Sequence, residues 1–264
     1  MASPDILKSI LLEAEYACFN RRRTLRDVTE GMPSIHADSH LIQIKDPTAP
    51  LDTYVNRLIV ADPIEAEALL KISRQYDAQN LAHSIDVLPH ALTPQLSAEL
   101  IQGGFLPFRE LLFLHRKPDS TFPRPAAGIS IKKVGSGEGP IFLDAVMASM
   151  GRAIAPAVLA AKRHFYENSS FICYLAYCED ELAGLATLYH KGDRAWMANA
   201  FTFESFRGRG VQSALIHSRI QDAAALGVAT LLTDVEFLTA SYRNLQRLGF
   251  GFHYAATSWE RLPS

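Results

Sequence analysis

The segment Phe206-Arg-Gly-Arg-Gly-Val-Gln-Ser-Ala-Leu-Ile216 carries the plainest chemistry in this 264-residue sequence. Glycines at 208 and 210 allow a sharp turn and a close approach of the backbone to a ligand. The apolar spacing after Gly210 predicts a helix, whose first N–H groups and positive dipole end suit an anionic phosphate group. The amides of Arg209, Gly210, Val211, Gln212 and Ser213 are the expected cradle. Arg207 and Arg209 add positive charge able to meet a phosphate in bidentate fashion. No Gly-Lys-Ser/Thr follows, so the segment is not a P-loop, and the third glycine of the dinucleotide-binding pattern is absent. It is not an RGG-type nucleic-acid segment either, because core-forming elements flank it. Gly-Arg-Gly by itself is also compatible with a tight strand-to-helix turn bearing solvated arginines.

The elements that must position this turn are legible on both sides. The strand Ala195–Phe203 leads into it, a helix from about 210 to 225 leaves it, and the strand Thr230–Val235 follows. A helix over about 239–247 and a last hairpin from Phe250 to Trp259 close the chain. Before them lie a strand at Ile129–Val134, helices at Pro140–Met150 and Pro156–Tyr166, and a hairpin of Phe171–Tyr177 with Ala183–His190. The first half has a related order. A helix over about 4–21 starts at Ser3-Pro4, and strands follow at His40–Lys45 and Val55–Val60. A helix at Pro63–Tyr76, a strand at Ser84–Leu88, a helix from Thr93-Pro94 to Gly103-Gly104 and a strand at Phe108–His115 complete it. Residues 24–40 give no clear signal. Residues 116–127, RKPDSTFPRPAA, hold three prolines and no apolar periodicity, which predicts a linker. The two halves end alike, with QLSAELIQGGFLPFRELLFL in one and SYRNLQRLGFGFHYAATSWERL in the other, which points to a duplicated unit.

The length suits two domains, and 48% hydrophobic with 20% charged residues is the balance of a globular protein. A formal net charge of −2 argues against a nucleic-acid partner, since phosphate neutralisation needs a basic surface. The densest basic run, Arg21-Arg22-Arg23, reads as the solvated end of the first helix. Cys18, Cys173 and Cys178 lack metal spacing and read as reduced, mostly buried thiols. No apolar run reaches the length of a membrane span, and the N-terminus is the reverse of a secretory signal, so the expected location is the cytoplasm with no membrane partner.

Arg207-Gly208-Arg209-Gly210-Val211-Gln212-Ser213-Ala214-Leu215 resembles the acetyl-CoA motif of the GNAT (N-acetyltransferase) superfamily, Gln/Arg-x-x-Gly-x-Gly/Ala before a helix. Gln212 stands where the family has its last small residue, which narrows the room at the pyrophosphate. The strand Leu231-Leu-Thr-Asp-Val235 and the short helix ending Arg247-Leu-Gly-Phe250 extend the resemblance over about residues 128–262. It implies an α/β fold with a mixed sheet, present in tandem. Residues 1–118 would be a degenerate GNAT-like half, 119–127 the linker, and 128–264 the intact acetyl-CoA-binding catalytic domain. In the first half Ala61-Asp62-Pro63-Ile64 replaces the glycine-rich turn, so that half is expected to be structural or to shape the acceptor pocket.

The resemblance also implies the reaction: an acetyl group passes from acetyl-CoA, the co-substrate, to a primary amine of a small molecule or peptide, with no metal. The cofactor would lie in a V-shaped gap between Ala195–Phe203 and Thr230–Val235, with backbone groups near Ala200, Phe201 and Thr202 pairing with the pantetheine arm. The family acid is often a Tyr four residues before the Gly of the Gly-Phe pair, a position held here by Leu245; Tyr242, one turn earlier on the same face, is the candidate acid. Ser241 and Asn244 are candidates to hydrogen-bond the cofactor. Glu204, Asp234, Glu236 and His190 are candidates for the base, each reading more simply as a surface or capping residue. Trp196 and Asn199 are candidate walls of the acceptor pocket, with core packing the plainer role for Trp196. A homodimer is compatible with the sequence. A non-catalytic acyl-CoA sensor and an interaction protein without cofactor are the competing readings; the order of elements ranks the enzyme above both.

Overall fold

The computed structural model describes residues 2–120 and 127–261; the expected linker therefore falls largely outside the described residues. In chain order the elements are α1 (Pro4–Arg23), β1 (Ser34–Ala37), β2 (Leu41–Lys45), β3 (Arg57–Val60), α2 (Ala66–Asp77), β4 (Ser84–Val87), α3 (Pro94–Gln102) and β5 (Phe105–Arg116). They continue with β6 (Ile129–Lys133), α4 (Gly139–Met150), α5 (Pro156–Lys162), β7 (Phe171–Cys178), β8 (Glu181–Lys191), β9 (Arg194–Thr202), α6 (Val211–Ala225), β10 (Thr230–Val235), α7 (Ala240–Arg247) and β11 (Gly251–Arg261). The fold is mixed α/β, and its strands fall into two compact units. One unit gathers Met1–Arg22, Thr29–Leu114 and Asp234–Ser264; the other gathers Arg23–Val28 and His115–Thr233.

This division differs from a cut at 119–127, because the last strand of the chain belongs with the first half. In the first unit the strands neighbour one another in the order β1-β2-β3-β4-β11-β5. β11 pairs antiparallel with β4, Thr257 opposite Val87 and Trp259 opposite Ile85. Its contacts with β5, Thr257 to Glu110 and Tyr254 to Phe113, step in opposite directions along the two strands, so that pairing is antiparallel too. The segment expected to be a hairpin is one unbroken strand of 11 residues. Gly251–Arg261 contains no turn-forming pair after its first residue, and Tyr254, Ala256 and Ser258 alternate into the interior. Trp259 then joins the core of Leu58, Leu69, Ile85, Leu100 and Phe105, which is the apolar gain that recruits β11 here.

Two further expectations change in this unit. α2 starts at Ala66, not Pro63, and Glu65 at its N-cap makes no side-chain cap. Asp62 is unavailable for capping because its Oδ1 accepts from the Ala2 amide at 2.8 Å and the His90 ring at 2.9 Å. The unread stretch 24–40 contains β1, held to β2 by antiparallel pairing from Ser34 opposite Lys45 to Ala37 opposite Ile42. α3 follows expectation: Thr93 Oγ1 accepts from the Leu96 amide at 3.1 Å and Pro94 opens the helix.

The basic run at the end of α1 is not solvated as expected. Arg21 is buried and its Nε lies 2.9 Å from Asp46 Oδ2, while Arg23 is buried in the second unit, donating to the Tyr166 hydroxyl at 3.2 Å and lying 4.8 Å over the Phe171 ring. A buried guanidinium must find such partners; only Arg22 of the three is exposed. The first unit also buries an ionic cluster. Arg57 on β3 bonds Glu13 of α1 and, at 3.2 Å, Asp86 of β4, and Tyr54 donates to Glu13 at 3.3 Å.

In the second unit the order is β10-β9-β8-β7-β6. β6, β7, β8 and β9 form antiparallel neighbours, and β10 lies parallel to β9. α6 packs against the β6–β9 strands and α4 against β7 and β8. The expected second helix of this half is α5 continued by a 3-10 turn over Arg163–Glu167. Cys18, Cys173 and Cys178 are free thiols, and burial pushes the Cys173 thiol up to about 12. Among the described residues no helix is long and apolar enough to cross a membrane.

Candidate functional site

β9 and β10 begin as a parallel pair and then part. Thr230 faces Arg194, Leu231 faces Ala195 and Leu232 faces Trp196; no further pair forms among the described residues, although β9 runs on to Thr202. Where the strands diverge, Thr233 Oγ1 donates to the Met197 carbonyl at 3.1 Å. β9 is buried from Arg194 to Ala198 and turns exposed at Asn199. The cause is a β-bulge. Leu185 pairs with Phe201 and Thr187 with Ala198, so Ala186 alone opposes Asn199 and Ala200. Asn199 takes the left-handed conformation at φ 46°, which asparagine tolerates better than most residues. Ala200, Phe201 and Thr202 thus lie just past a bulge, on the part of β9 that β10 has left.

The turn after β9 is built from its own side chains and amides. A 3-10 turn, Glu204–Phe206, buries Phe206, with the Arg209 guanidinium 5.5 Å from its ring centroid. Gly208 and Gly210 stand at φ 77° and 89°, where a side chain would be strained, so both glycines are required by the backbone. The space a side chain would take at Gly208 is open. Gly210 caps α6, and the first bond along the helix runs from the Ala214 amide to the Gly210 carbonyl at 3.0 Å. The amides of Val211, Gln212 and Ser213 therefore precede the helical ladder and point toward the turn. Arg207 is largely exposed and makes a loose contact, 3.8 Å, with the exposed Glu204. Such a pair holds an arginine weakly and leaves it able to meet an anion.

Two residues essential to this geometry carry no motif. Gly184 on β8 sits under the bulge and the helix tip at once. An added Cβ would lie 2.6 Å from the Phe201 carbonyl oxygen and 3.2 Å from Val211 Cγ1. A glycine inside a strand signals such close approach, and that clue is present in the sequence. Thr187 is the second: its Oγ1 donates to the Ala198 carbonyl at 3.1 Å and accepts from Asn199 Nδ2 at 3.2 Å. No sequence pattern marks it.

Most of the remaining candidates lie on other elements. Ser241, Tyr242 and Asn244 lie on α7, which belongs to the first unit. There Thr239 Oγ1 accepts from the Tyr242 amide at 3.2 Å, and Gln246 Nε2 donates to the Tyr242 hydroxyl at 2.9 Å. Tyr242 is half-buried, with the Phe237 ring edge-on at 5.3 Å, while Leu245 is buried. Trp196 is core, at 2% exposure, and forms no pocket wall. Glu204, Asp234 and Glu236 are exposed. His190 Nε2 is bonded to the Ser169 carbonyl at 2.9 Å, which accounts for its orientation.

Residues 145–250 match the model of the acetyltransferase (GNAT) family. No curated protein matches the sequence. Solved structures share the fold along nearly the whole chain. A GCN5-related N-acetyltransferase from Kribbella flavida aligns with TM-score 0.65 at 18% identity, over 96% of this chain and 96% of that one. A functionally unknown conserved protein from Staphylococcus epidermidis aligns with TM-score 0.64 at 15% identity, over 88% and 95%. A tandem GNAT protein from the clavulanic acid biosynthesis pathway aligns with TM-score 0.57 at 15% identity, over 85% and 79%.

Proposed function

We infer, from the match of residues 145–250 to the GNAT acetyltransferase family model, that this chain is an acyltransferase that moves an acetyl group from acetyl-CoA to the primary amine of a small molecule or peptide. The observation that carries the reading is the parting of β9 from β10 after Leu232 opposite Trp196, on the strand that leads straight into the Gly208–Gly210 turn. A divided sheet offers backbone donors and acceptors to an extended amide chain, and the helix tip beyond offers donors to a diphosphate. Ala200, Phe201 and Thr202 would take the pantetheine arm, and Arg207 through Ser213 the pyrophosphate. Gln212 and Ser213 are half-buried at the tip, so the cradle depends on their amides more than on their side chains.

In the transfer, the amine nitrogen attacks the thioester carbonyl carbon; the C–N bond forms and the C–S bond breaks. Tyr242 is the proposed donor of the proton to the leaving sulfur, and the proton shed by the new ammonium returns to it through water. Gln246 donates to the Tyr242 oxygen, so the phenolic hydrogen is left for another acceptor. Ser241 and Asn244 flank it on α7 as proposed cofactor contacts. This chemistry needs no metal, because positioning and carbonyl polarisation supply the rate.

The first half reads as the degenerate copy. There β3 and β4, the parallel pair, stay joined from Arg57 opposite Ser84 to Val60 opposite Val87, and the Leu88 amide continues to the Val60 carbonyl at 3.1 Å. A sheet that does not part offers no slot for a thioester arm. The buried Leu245 at the usual acid position favours a second reading, a sensor that binds acetyl-CoA without turnover.

Calorimetry with coenzyme A and a free-thiol assay across amine libraries separate these readings. The enzyme reading expects binding at a ratio of one per chain and thiol release with at least one amine. Gly210→Val should weaken binding at least about tenfold, because the strain of a β-branched residue in the left-handed region adds to the steric block. Binding without thiol release favours the sensor, and no heat with coenzyme A ends both readings.

A further inference from the structure

We propose that Thr187 is the positioning residue that sets the pantetheine edge of the site, holding the β9 bulge in place from the neighbouring strand. The inference rests on the coenzyme A reading given above. Thr187 is 1% exposed, and its hydroxyl both donates, to the Ala198 carbonyl, and accepts, from the Asn199 side chain. Those partners bracket the point where the bulge begins. A bulge disrupts the ladder locally; the Thr187 hydroxyl bonds the Ala198 carbonyl and the Asn199 side chain on either side of it, holding Asn199 in its left-handed conformation. The backbone of Ala200 to Thr202 emerges from that fixed point.

β8 also carries the helix. Val211 and Leu215 of α6 lie against Gly184, 3.2 and 3.4 Å from where its Cβ would be. Arg219, one turn further along, is 2% exposed, donates from Nε to the Leu215 carbonyl at 3.1 Å, and places Nη1 3.5 Å from the Thr187 carbonyl. Gly184 to Thr187 is about 10 Å of strand and Leu215 to Arg219 about 6 Å of helix, and the long Arg219 side chain spans the difference to reach the Thr187 carbonyl. β8 is therefore a common strut, with Gly184 seating the phosphate-binding helix tip and Thr187 fixing the strand edge. Loss of the Thr187 hydroxyl acts on the edge and spares the tip.

That separation gives the test. Wild-type protein, Thr187→Val and Thr187→Ser are titrated by calorimetry with coenzyme A, which spans both regions, and with adenosine 3′,5′-bisphosphate, which keeps one 5′-phosphate for the helix tip and lacks the outer phosphate and the pantetheine arm. Thr187→Val keeps the shape and loses both bonds; it should weaken coenzyme A about tenfold and leave the bisphosphate within about twofold. Thr187→Ser should restore coenzyme A binding to within about twofold of wild type. Unchanged coenzyme A binding in Thr187→Val, or equal weakening of both probes, overturns the proposal. Should Thr187→Val fail to fold, Asn199→Ala at the exposed bulge must show the same selective loss, and an unselective result there overturns it equally. A wild-type protein that binds neither probe brings down the coenzyme A reading and this inference with it; a wild-type protein that binds both confines any failure to Thr187.

Discussion

Under the proposed reading, Tyr242 and Leu245 differ in chemical role by a single helical turn. The position where the family often has an acid is taken by a leucine that faces the core, while the tyrosine one turn earlier keeps its hydroxyl half-buried and bonded to Gln246. Tyr242→Phe should lower kcat by about a hundredfold with KM for acetyl-CoA little changed, since a lost general acid acts only in the transition state. Steady-state thiol release checks this, and an unchanged kcat assigns the proton to another donor. His83 illustrates a buried titrating group of a different kind. The Leu81 carbonyl can only accept, so His83 Nδ1, at 3.2 Å, must carry the proton, and Nε2 accepts from Ser73 Oγ at 2.8 Å. Burial holds this ring below its ordinary 6.5. The unfolded chain therefore binds a proton that the folded one refuses. The stability His83 contributes is full above pH 6.5 and is lost as pH falls from there through the lowered folded value. Thermal melts between pH 7.5 and 5 should fall more steeply for wild type than for His83→Gln, and parallel slopes would remove His83 from the account.

Strands and helices were readable where periodicity and capping acted locally. Thr93-Pro94 started α3, and Gly210 stood at the head of α6, as their types dictate. The misreadings share a cause, which is that a distant element captured the residue. Asp62 was drawn from capping α2 to the chain's second residue and His90. Arg21 and Arg23 left solvent for Asp46 and for Tyr166 with Phe171. The cluster of Glu13, Arg57 and Asp86 is the largest such case, joining α1, β3 and β4 through side chains far apart in sequence. Burial raises the Glu13 carboxyl, and the two carboxylates facing Arg57 push that guanidinium up, the signature of charges that depend on one another. Glu13→Ala should cost about 3–5 kcal/mol in urea unfolding, because it breaks a buried ion pair and leaves Arg57 with the more distant Asp86 carboxylate. A loss below about 1 kcal/mol would mean that water reaches the cluster.

At the level of the whole chain, the strand order of the first unit makes its two ends interdependent. β11 lies between β4 and β5 and delivers Trp259 to the core of that unit. A fragment of residues 1–118 lacks that strand, leaving the edges of β4 and β5 bare and the core short of an indole. It should be insoluble or molten when expressed alone, and soluble when co-expressed with a segment covering residues 234–264. Sedimentation and near-UV circular dichroism read the outcome; a fragment that is monomeric and cooperatively folded without the last strand would contradict the dependence. The similar endings, a helix and then Gly-Phe, were visible in the sequence; that each continues into one long strand, β5 of 12 residues and β11 of 11, was not, since a hairpin was expected at the second. What was hidden was which sheet each one completes.

The amino-acid sequence by itself determined the mixed α/β class, most elements, and the glycine-borne turn of Gly208–Gly210 at the head of a helix. Each of these rests on interactions within a few residues: periodicity, capping, and the left-handed freedom of glycine. Only the tertiary structure decided the bulge at Asn199, the struts at Thr187 and Gly184, the burial of Arg21 and Arg23, and the return of β11 to the first half. Those depend on which strand lies beside which, a choice made by pairing and core packing between segments that have no knowledge of one another along the chain.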